Sequence, residues 1–307
     1  VSGVITGFAI IAVVIGVGYV TRRTGLLGPQ VGPALNRVAF YIAVPALLFM
    51  VLGRADIRLL FSSFLLVNLL SAVLAAVLYV VASRIWFQQK LPETVIGASA
   101  SSYVNSNNIG LPVAVYVLGD PQWVAPTLLL QLLLLSPVIL GTLDISTSGR
   151  VSRRQLLTQP IRNPLIIASL LGVVVAATGI TLPEVVTAPL DILGGAAIPL
   201  VLMAFGMSLH GGRPLRPGPE RVPTIVASVL KSLVMPVLAW ALAALVFKLD
   251  PVTVRAVTVT AALPTAQNIY NFAAHYERGA VQARDAGLIT TVAAVPVLIL
   301  ISLLLPM

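Results

Sequence analysis

The sequence predicts an all-α polytopic membrane protein of ten transmembrane helices, built as two five-helix repeats of opposite orientation with one broken helix in each. Three observations carry that prediction. Hydrophobic residues make up 58% of the 307 residues and charged residues 9%, against about 25% charged in a soluble domain. The apolar residues fall in runs long enough to cross a hydrocarbon core, which takes about 20 residues of helix. Two polar stretches interrupted by Gly and Pro occupy matching places in the two halves, 160 positions apart (268 − 108), and such pairs point to a transporter's substrate site.

Charge and Gly/Pro clusters divide the runs into spans at residues 3–20, 34–53, 59–85, 94–118 and 123–143, then 164–180, 190–209, 222–247, 252–274 and 286–305. The first run has no basic residue before it and Arg22 and Arg23 after it. That polarity is wrong for a signal peptide, so the run counts as a span. The second span contains Leu35-Asn-Arg-Val-Ala-Phe-Tyr-Ile-Ala-Val-Pro45, which matches Leu190-Asp-Ile-Leu-Gly-Gly-Ala-Ala-Ile-Pro199 in the seventh with one gap. Ile10-Ile-Ala with Gly16 in the first span corresponds to Ile166-Ile-Ala with Gly172 in the sixth. The third and fifth spans each carry a single polar residue, Asn68 and Gln131, expected to bond between helices. The repeats are thus residues 1–144 and 164–307, joined by a polar cytoplasmic linker at 145–163. With an odd number of helices in each, the second enters the membrane upside down.

Basic residues set the orientation. Thirteen Lys and Arg residues, from Arg22 to Arg284, fall in the odd-numbered connections, and four (Arg54, Arg58, Lys248 and Arg255) in the even-numbered ones. The odd loops are therefore expected in the cytoplasm, with both termini on the non-cytoplasmic side of the membrane. The basic residues form no stripe with interleaved aromatics, which argues against nucleic acid as a partner. With no cysteine, disulfides and thiolate metal sites are excluded. No His-Glu-x-x-His occurs, and Gly97-Ala-Ser-Ala-Ser101 lacks the last glycine of a nucleophile elbow, so nothing points to an enzyme.

The candidate site is the pair of interrupted stretches. The first is Ser101-Ser-Tyr-Val-Asn-Ser-Asn-Asn-Ile-Gly-Leu-Pro112, and the second runs from Ala262-Leu-Pro264 through Thr265, Gln267, Asn268 and Tyr276 to Gly279. Polar residues at that depth are expensive in hydrocarbon unless they line a cavity or are buried in protein. If both spans unwind there and cross, the following half-helices aim their free N–H groups and positive dipole ends at the crossing, which favours a carboxylate. Asn105, Asn107, Asn108, Thr265, Gln267 and Asn268 are the candidate ligands, with Gly110, Pro112 and Pro264 as hinges. The alternative is that the amides only join helix to helix.

Lys231 lies roughly 14 Å into its span, counting from Val222 at about 1.5 Å per residue. It is expected to act as a counter-charge for an anionic substrate or as a proton-linked switch, the alternative being that it snorkels to the interface. The acidic residues fall in loops or at helix ends, whereas a cation exchanger is expected to carry a deep carboxylate. Coupling to Na+ or H+ stays open, since unwound carbonyls also bind cations. His275 shares a helical face with Asn268 and Asn271, and His275 and Asn271 are candidate gating residues.

Several separated motifs in order resemble the auxin efflux carrier family, whose bacterial members carry organic acids and whose plant members are the PIN-formed auxin exporters. Leu35 to Pro45 looks like that family's second helix, Val229-Leu-Lys-Ser-Leu-Val-Met-Pro236 like its eighth, Asn105 with Gly110-Leu-Pro112 like the fourth, and Ala261-Ala-Leu-Pro264 with Tyr276 like the ninth. The resemblance implies an elevator-type fold akin to sodium/proton antiporters and bile acid symporters. Helices 1, 2, 6 and 7 would form a dimerising scaffold, and helices 3–5 and 8–10 a moving transport unit. It implies substrate binding at the crossover, with Asn105 and Pro264 carried over directly. Val104 stands where plant members have proline, and the extra amides favour a small polar acid over auxin. The expected function is transport of a small organic anion by a homodimer in the bacterial inner membrane, without a cofactor. A sodium-coupled symporter of the bile acid type and a non-transporting ligand sensor are the alternatives.

Overall fold

Hydrocarbon offers no water to an open N–H or C=O, so a chain of this composition satisfies its backbone within helices. The computed structural model describes residues 2–54, 63–148, 163–210, 215 and 217–305. Among them every regular element is helical, and six helices are long and apolar enough to cross a membrane. Those six are α2 (Val31–Gly53), α3 (Ser63–Phe87), α6 (Pro121–Thr147), α8 (Glu184–Ser208), α9 (Arg221–Val246) and α12 (Ala280–Leu304). The first helix, α1, is Ser2–Arg23, and the shorter α7 is Pro164–Thr178.

The predicted fourth and ninth spans are each two helices rather than one. α4 (Leu91–Ser102) is followed by α5, a π turn at Ser106–Gly110 running into Leu111–Tyr116. α10 (Pro251–Ala261) is followed by α11 (Gln267–His275). Local chemistry starts several of these helices. Asn163 accepts the Leu165 N–H at 2.9 Å ahead of Pro164, and Asp250 accepts the Thr253 N–H at 3.0 Å ahead of Pro251. Each pairs a side-chain cap with a proline in the first turn, where no N–H is needed. Bonding to Thr253 holds the Asp250 carboxyl below the usual carboxylate range.

Packing sorts the helices into two groups. α1 lies along α8 and α7 along α2, with α2 and α8 also in contact; α3 packs on α4 and α9, α9 on α10 and α12, and α11 on α12. The two long contacts of the first group are reciprocal: the first helix of each half meets the second helix of the other. Both depend on glycine. A Cβ at Gly206 would stand 2.0 Å from the Ile15 carbonyl oxygen, and one at Gly172 would stand 2.8 Å from that of Phe49. Small residues let backbones approach in lipid, where apolar side chains gain nothing by leaving the bilayer. Gly206→Val should therefore lower the thermal midpoint in detergent by at least the roughly 1–3 kcal/mol of ordinary overpacking, because its obstacle is backbone. Gly16→Ala, with nothing within 4 Å, should melt like the native chain. Equal midpoints for both would contradict this contact.

Three expectations from the sequence are corrected. Arg255, counted with the connections, lies inside α10 at 3% exposure and donates to the Val117 carbonyl at 3.4 Å. Asp285, expected just before the last span, lies within α12, which starts five residues earlier; it is 2% exposed and accepts the Leu215 N–H at 2.9 Å. The Arg284 guanidinium at 2.7 Å and the Leu215 N–H together supply the partners that a buried carboxylate needs. Asn68 bonds the Phe64 carbonyl of its own helix at 2.9 Å instead of a neighbour. Most of the 145–163 linker, with Arg150, Arg153, Arg154 and Arg162, lies outside the described residues, as do Asp56, Arg58, Arg213 and Arg216.

Candidate functional site

α4 ends in serines whose hydroxyls turn back on its last turn: Ser101 and Ser102 both donate to the Ala98 carbonyl, at 2.8 and 2.7 Å. The chain then runs extended through Tyr103, and Val104 forms an isolated antiparallel bridge with Thr265 in the second break. The Asn105 N–H donates to the Pro264 carbonyl at 2.8 Å, and the Ala266 N–H to the Tyr103 carbonyl at 3.0 Å. Only the carbonyl of residue 264 takes part, so proline, which has no N–H, fits there.

Side chains from two further helices hold the paired segments. Gln131 in α6 donates to the Val104 carbonyl at 2.9 Å and accepts the Ser106 hydroxyl at 2.8 Å. Thr290 in α12 accepts the Thr265 N–H at 3.0 Å, while the Thr265 hydroxyl donates to Ala100 at 2.6 Å. Gln131→Leu would leave the Val104 carbonyl and the Ser106 hydroxyl short of partners in a buried place. That costs about 1–3 kcal/mol, read as a lower thermal midpoint; an unchanged midpoint would mean the clamp is not under load.

The amides join the two breaks. Asn105 Oδ1 accepts the Asn108 N–H at 3.1 Å and so caps α5, leaving Asn105 Nδ2 with no partner among the described residues. Asn107 Nδ2 donates to Asn108 Oδ1 at 2.9 Å, and Asn108 Nδ2 donates to Gln267 Oε1 across the pairing at 3.4 Å. Asn107 Oδ1 is buried without a partner among the described residues. The residue ahead of α11 is Ala266, which offers no side-chain cap. The Ile269 N–H donates to the Ala266 carbonyl at 3.1 Å, so in the first turn of α11 the Gln267 and Asn268 N–H groups are left, among the described residues, for whatever enters.

Three cavities meet here. The innermost, about 40 Å³, is bounded by residues 103–108, by Gln131 and by Ala266, Gln267 and Asn268, with Phe40, Leu128, Leu132 and Leu165 as its apolar wall. On the scale where one water needs about 10–15 Å³, it has room for about three water-sized groups. It shares Gln267 with two larger cavities. One, of about 270 Å³, reaches Asn105 and Thr265 and mixes apolar side chains, Phe205, Leu209 and Leu288, with Ser208, Arg284 and Thr291. The other, of about 450 Å³, is lined by Arg22, Asn36, Arg37, His210 and Asn271 among others. Amide donors converge on the innermost space, an arrangement suited to holding an anion.

The remaining candidates sit elsewhere. Lys231 is fully buried in α9; its ammonium donates to the Ala261 carbonyl, the last of α10, at 2.6 Å and meets Met235 Sδ at 3.4 Å, and it lines none of the three cavities. Gly110 and Pro112 follow the break and lie in α5. Gly110 has an ordinary helical φ of −64°, and a Cβ there would stand 2.7 Å from Val124 Cγ2. Packing, and not conformational freedom, calls for glycine at 110. His275 is exposed, its ring edge-on to Tyr276 at 5.0 Å, and it too lines none of the three cavities. The clamp by Gln131 and Thr290 was not legible beforehand. Gln131 showed only as a polar residue needing some partner, and Thr290 gave no signal inside an apolar run.

The profile of the family described as membrane transport protein matches residues 4–143 and again 144–302. A Methanothermobacter thermautotrophicus protein named an uncharacterized transporter is 28% identical over 204 residues, 65% of this chain and 66% of that one. A Methanocaldococcus jannaschii protein, uncharacterized transporter MJ1031, is 25% identical over 247 residues, 77% of this chain and 78% of its own. A Rhizobium meliloti protein provisionally named a malonate transporter is 25% identical over 288 residues, 91% of this chain and 88% of its own.

Proposed function

Because the chain belongs to the membrane transport protein family, that of the auxin efflux carriers, we propose that it carries a small organic anion across the membrane, bound where its two broken spans pair. It is an integral membrane protein and a transporter rather than an enzyme. The observation that carries the proposal is the pairing itself: two extended segments joined by backbone bonds, with Asn105, Asn107, Asn108, Gln267 and Asn268 and the uncapped start of α11 around one small cavity.

The cavity sizes favour a short acid. One carboxylate group suits the space of about 40 Å³, where Asn105 Nδ2 and the α11 amides donate to it. The rest of the molecule lies in the adjoining cavities. The name of the Rhizobium relative makes malonate the first acid to try. Lys231 acts from behind: its ammonium on the Ala261 carbonyl offsets the negative end of α10 beside the bound anion.

The sodium-coupled alternative meets an obstacle at the same place. The Tyr103, Val104, Pro264 and Ala261 carbonyls, which a cation would use, accept from Ala266, Gln131, Asn105 and Lys231. Transport without a coupling ion at the break is the simpler reading. Alternating access comes from α3–α6 and α9–α12 sliding against a scaffold of α1, α2, α7 and α8, and the reciprocal packing within that scaffold supports two inverted five-helix repeats. The scaffold is also the homodimer contact, through the apolar outer face of α7 with Ile167, Leu170, Leu171 and Val174 exposed. The basic ends face the cytoplasm and both termini lie outside.

Thermal unfolding of the purified chain against a panel of mono- and dicarboxylates tests the proposal. A ligand at 100 times its Kd adds about 2.7 kcal/mol to stability, so malonate or a close analogue should raise the midpoint. Midpoints unmoved by every acid in the panel, at concentrations up to the millimolar range, would overturn it.

A further inference from the structure

The largest of the three cavities at the site has a role that binding at the breaks does not use. Arg22 at the end of α1, Arg37 in α2 and His210 just after α8 line it together, and no acidic residue does among the described residues. Arg22 and Arg37 have no ion pair among the described residues, whereas Arg284, which lines the neighbouring cavity, is held by Asp285 at 2.7 Å. His210 is propped edge-on by Tyr19 at 5.8 Å. Asn36 adds an amide, and Gln267 and Asn271 from α11 close the wall toward the breaks.

Two such guanidiniums and an imidazole, brought together from three helices around a cavity of about 450 Å³, make a field that concentrates anions at its mouth. Guanidinium also grips a carboxylate with two parallel N–H groups, which an ammonium cannot do. We propose that Arg22, Arg37 and His210 form a second carboxylate station. It receives a dicarboxylate before the breaks take it, and Gln267, common to both cavities, is the point of transfer. The proposal rests on the carrier reading above. Arg22 and Arg37 belong to α1 and α2 and His210 follows α8, while Gln267 and Asn271 belong to α11, so relative movement of the two groups would part the acid from the station.

Malonate binding to the purified full chain, measured by isothermal titration, tests this in four forms: native, Arg22→Gln/Arg37→Gln, Asn105→Ala and the triple variant. The station predicts that Asn105→Ala still binds malonate and that the triple variant does not. It also predicts that Arg22→Gln/Arg37→Gln weakens malonate about fivefold, the scale of an exposed ion pair, with acetate unaffected and Arg22→Lys/Arg37→Lys partly restoring the loss. If Asn105→Ala abolishes malonate binding, or the triple variant binds as Asn105→Ala does, there is no second station and the carrier reading stands. If neither Asn105→Ala nor the arginine variants alter malonate binding, both the station and the site at the breaks are wrong.

Discussion

Asn105→Ala is expected to reduce counterflow of labelled malonate in proteoliposomes to the level of empty vesicles, with the protein still folded. The side chain does two things. Its Oδ1 caps α5 through the Asn108 N–H, and the residue lines the space between the breaks with its Nδ2 bonded to no described group. Loss of a cap costs about 0.5–2 kcal/mol, small against the roughly 5–15 kcal/mol of a folded chain, so the thermal midpoint should fall by only a few degrees. Asn105→Asp separates the roles. It keeps an oxygen for the cap and should restore the midpoint, but it puts a carboxylate where the substrate's carboxylate belongs and should transport no better than alanine. Counterflow at the native rate in either variant would remove Asn105 from the site.

Lys231→Met is expected to separate binding from stability in the other direction. Methionine matches the stem of lysine without its charge, and replacing buried charge by apolar groups of similar volume is often neutral or stabilising. The midpoint should therefore hold or rise. What is lost is the cation on the Ala261 carbonyl, where α10 stops against the second break. A helix end carries about half a negative charge, and a well-placed partly buried cation there is worth up to about 2 kcal/mol. An anion bound beside that end should weaken by up to about 30-fold, since about 1.4 kcal/mol is tenfold. Native affinity for malonate in Lys231→Met would show that the lysine serves packing alone.

How much of this was legible depended on how local each signal was. Asn105, Asn107 and Asn108 are costly in an apolar run without a break or a cavity, and Pro264 stands among Thr265, Gln267 and Asn268, so the interruption was readable from the polar clusters, whereas Pro296 alone inside α12 interrupts nothing. Partners were not readable. Gln131 bonds Val104 across 27 positions and Thr290 bonds Thr265 across 25, and nothing near either residue says which group it meets. Lys231 was recognisably deep, but its carbonyl partner follows only from where α10 ends. Arg255 and Asp285 were misplaced for one reason: charge was equated with water, whereas a buried charge can be met by a neighbouring carbonyl, as at Arg255, or by an adjacent guanidinium and a backbone N–H, as at Asp285. Gly110 and Pro112 mark the neighbourhood of the interruption, which itself lies upstream, where Tyr103 and Val104 trade helix bonds for cross-pairing.

A negative solute held by asparagine side chains where the two spans come apart would lie within reach of their nitrogens. Dipolar recoupling between carboxylate-13C malonate and chain labelled with [15N]asparagine, reconstituted in bilayers, reads that contact directly. The expected result is strong dephasing of the malonate carboxylate by asparagine side-chain nitrogen, reduced when Asn105 and Asn268 are both replaced by alanine. Dephasing that survives that double replacement, or that appears only with labelled arginine, would contradict it.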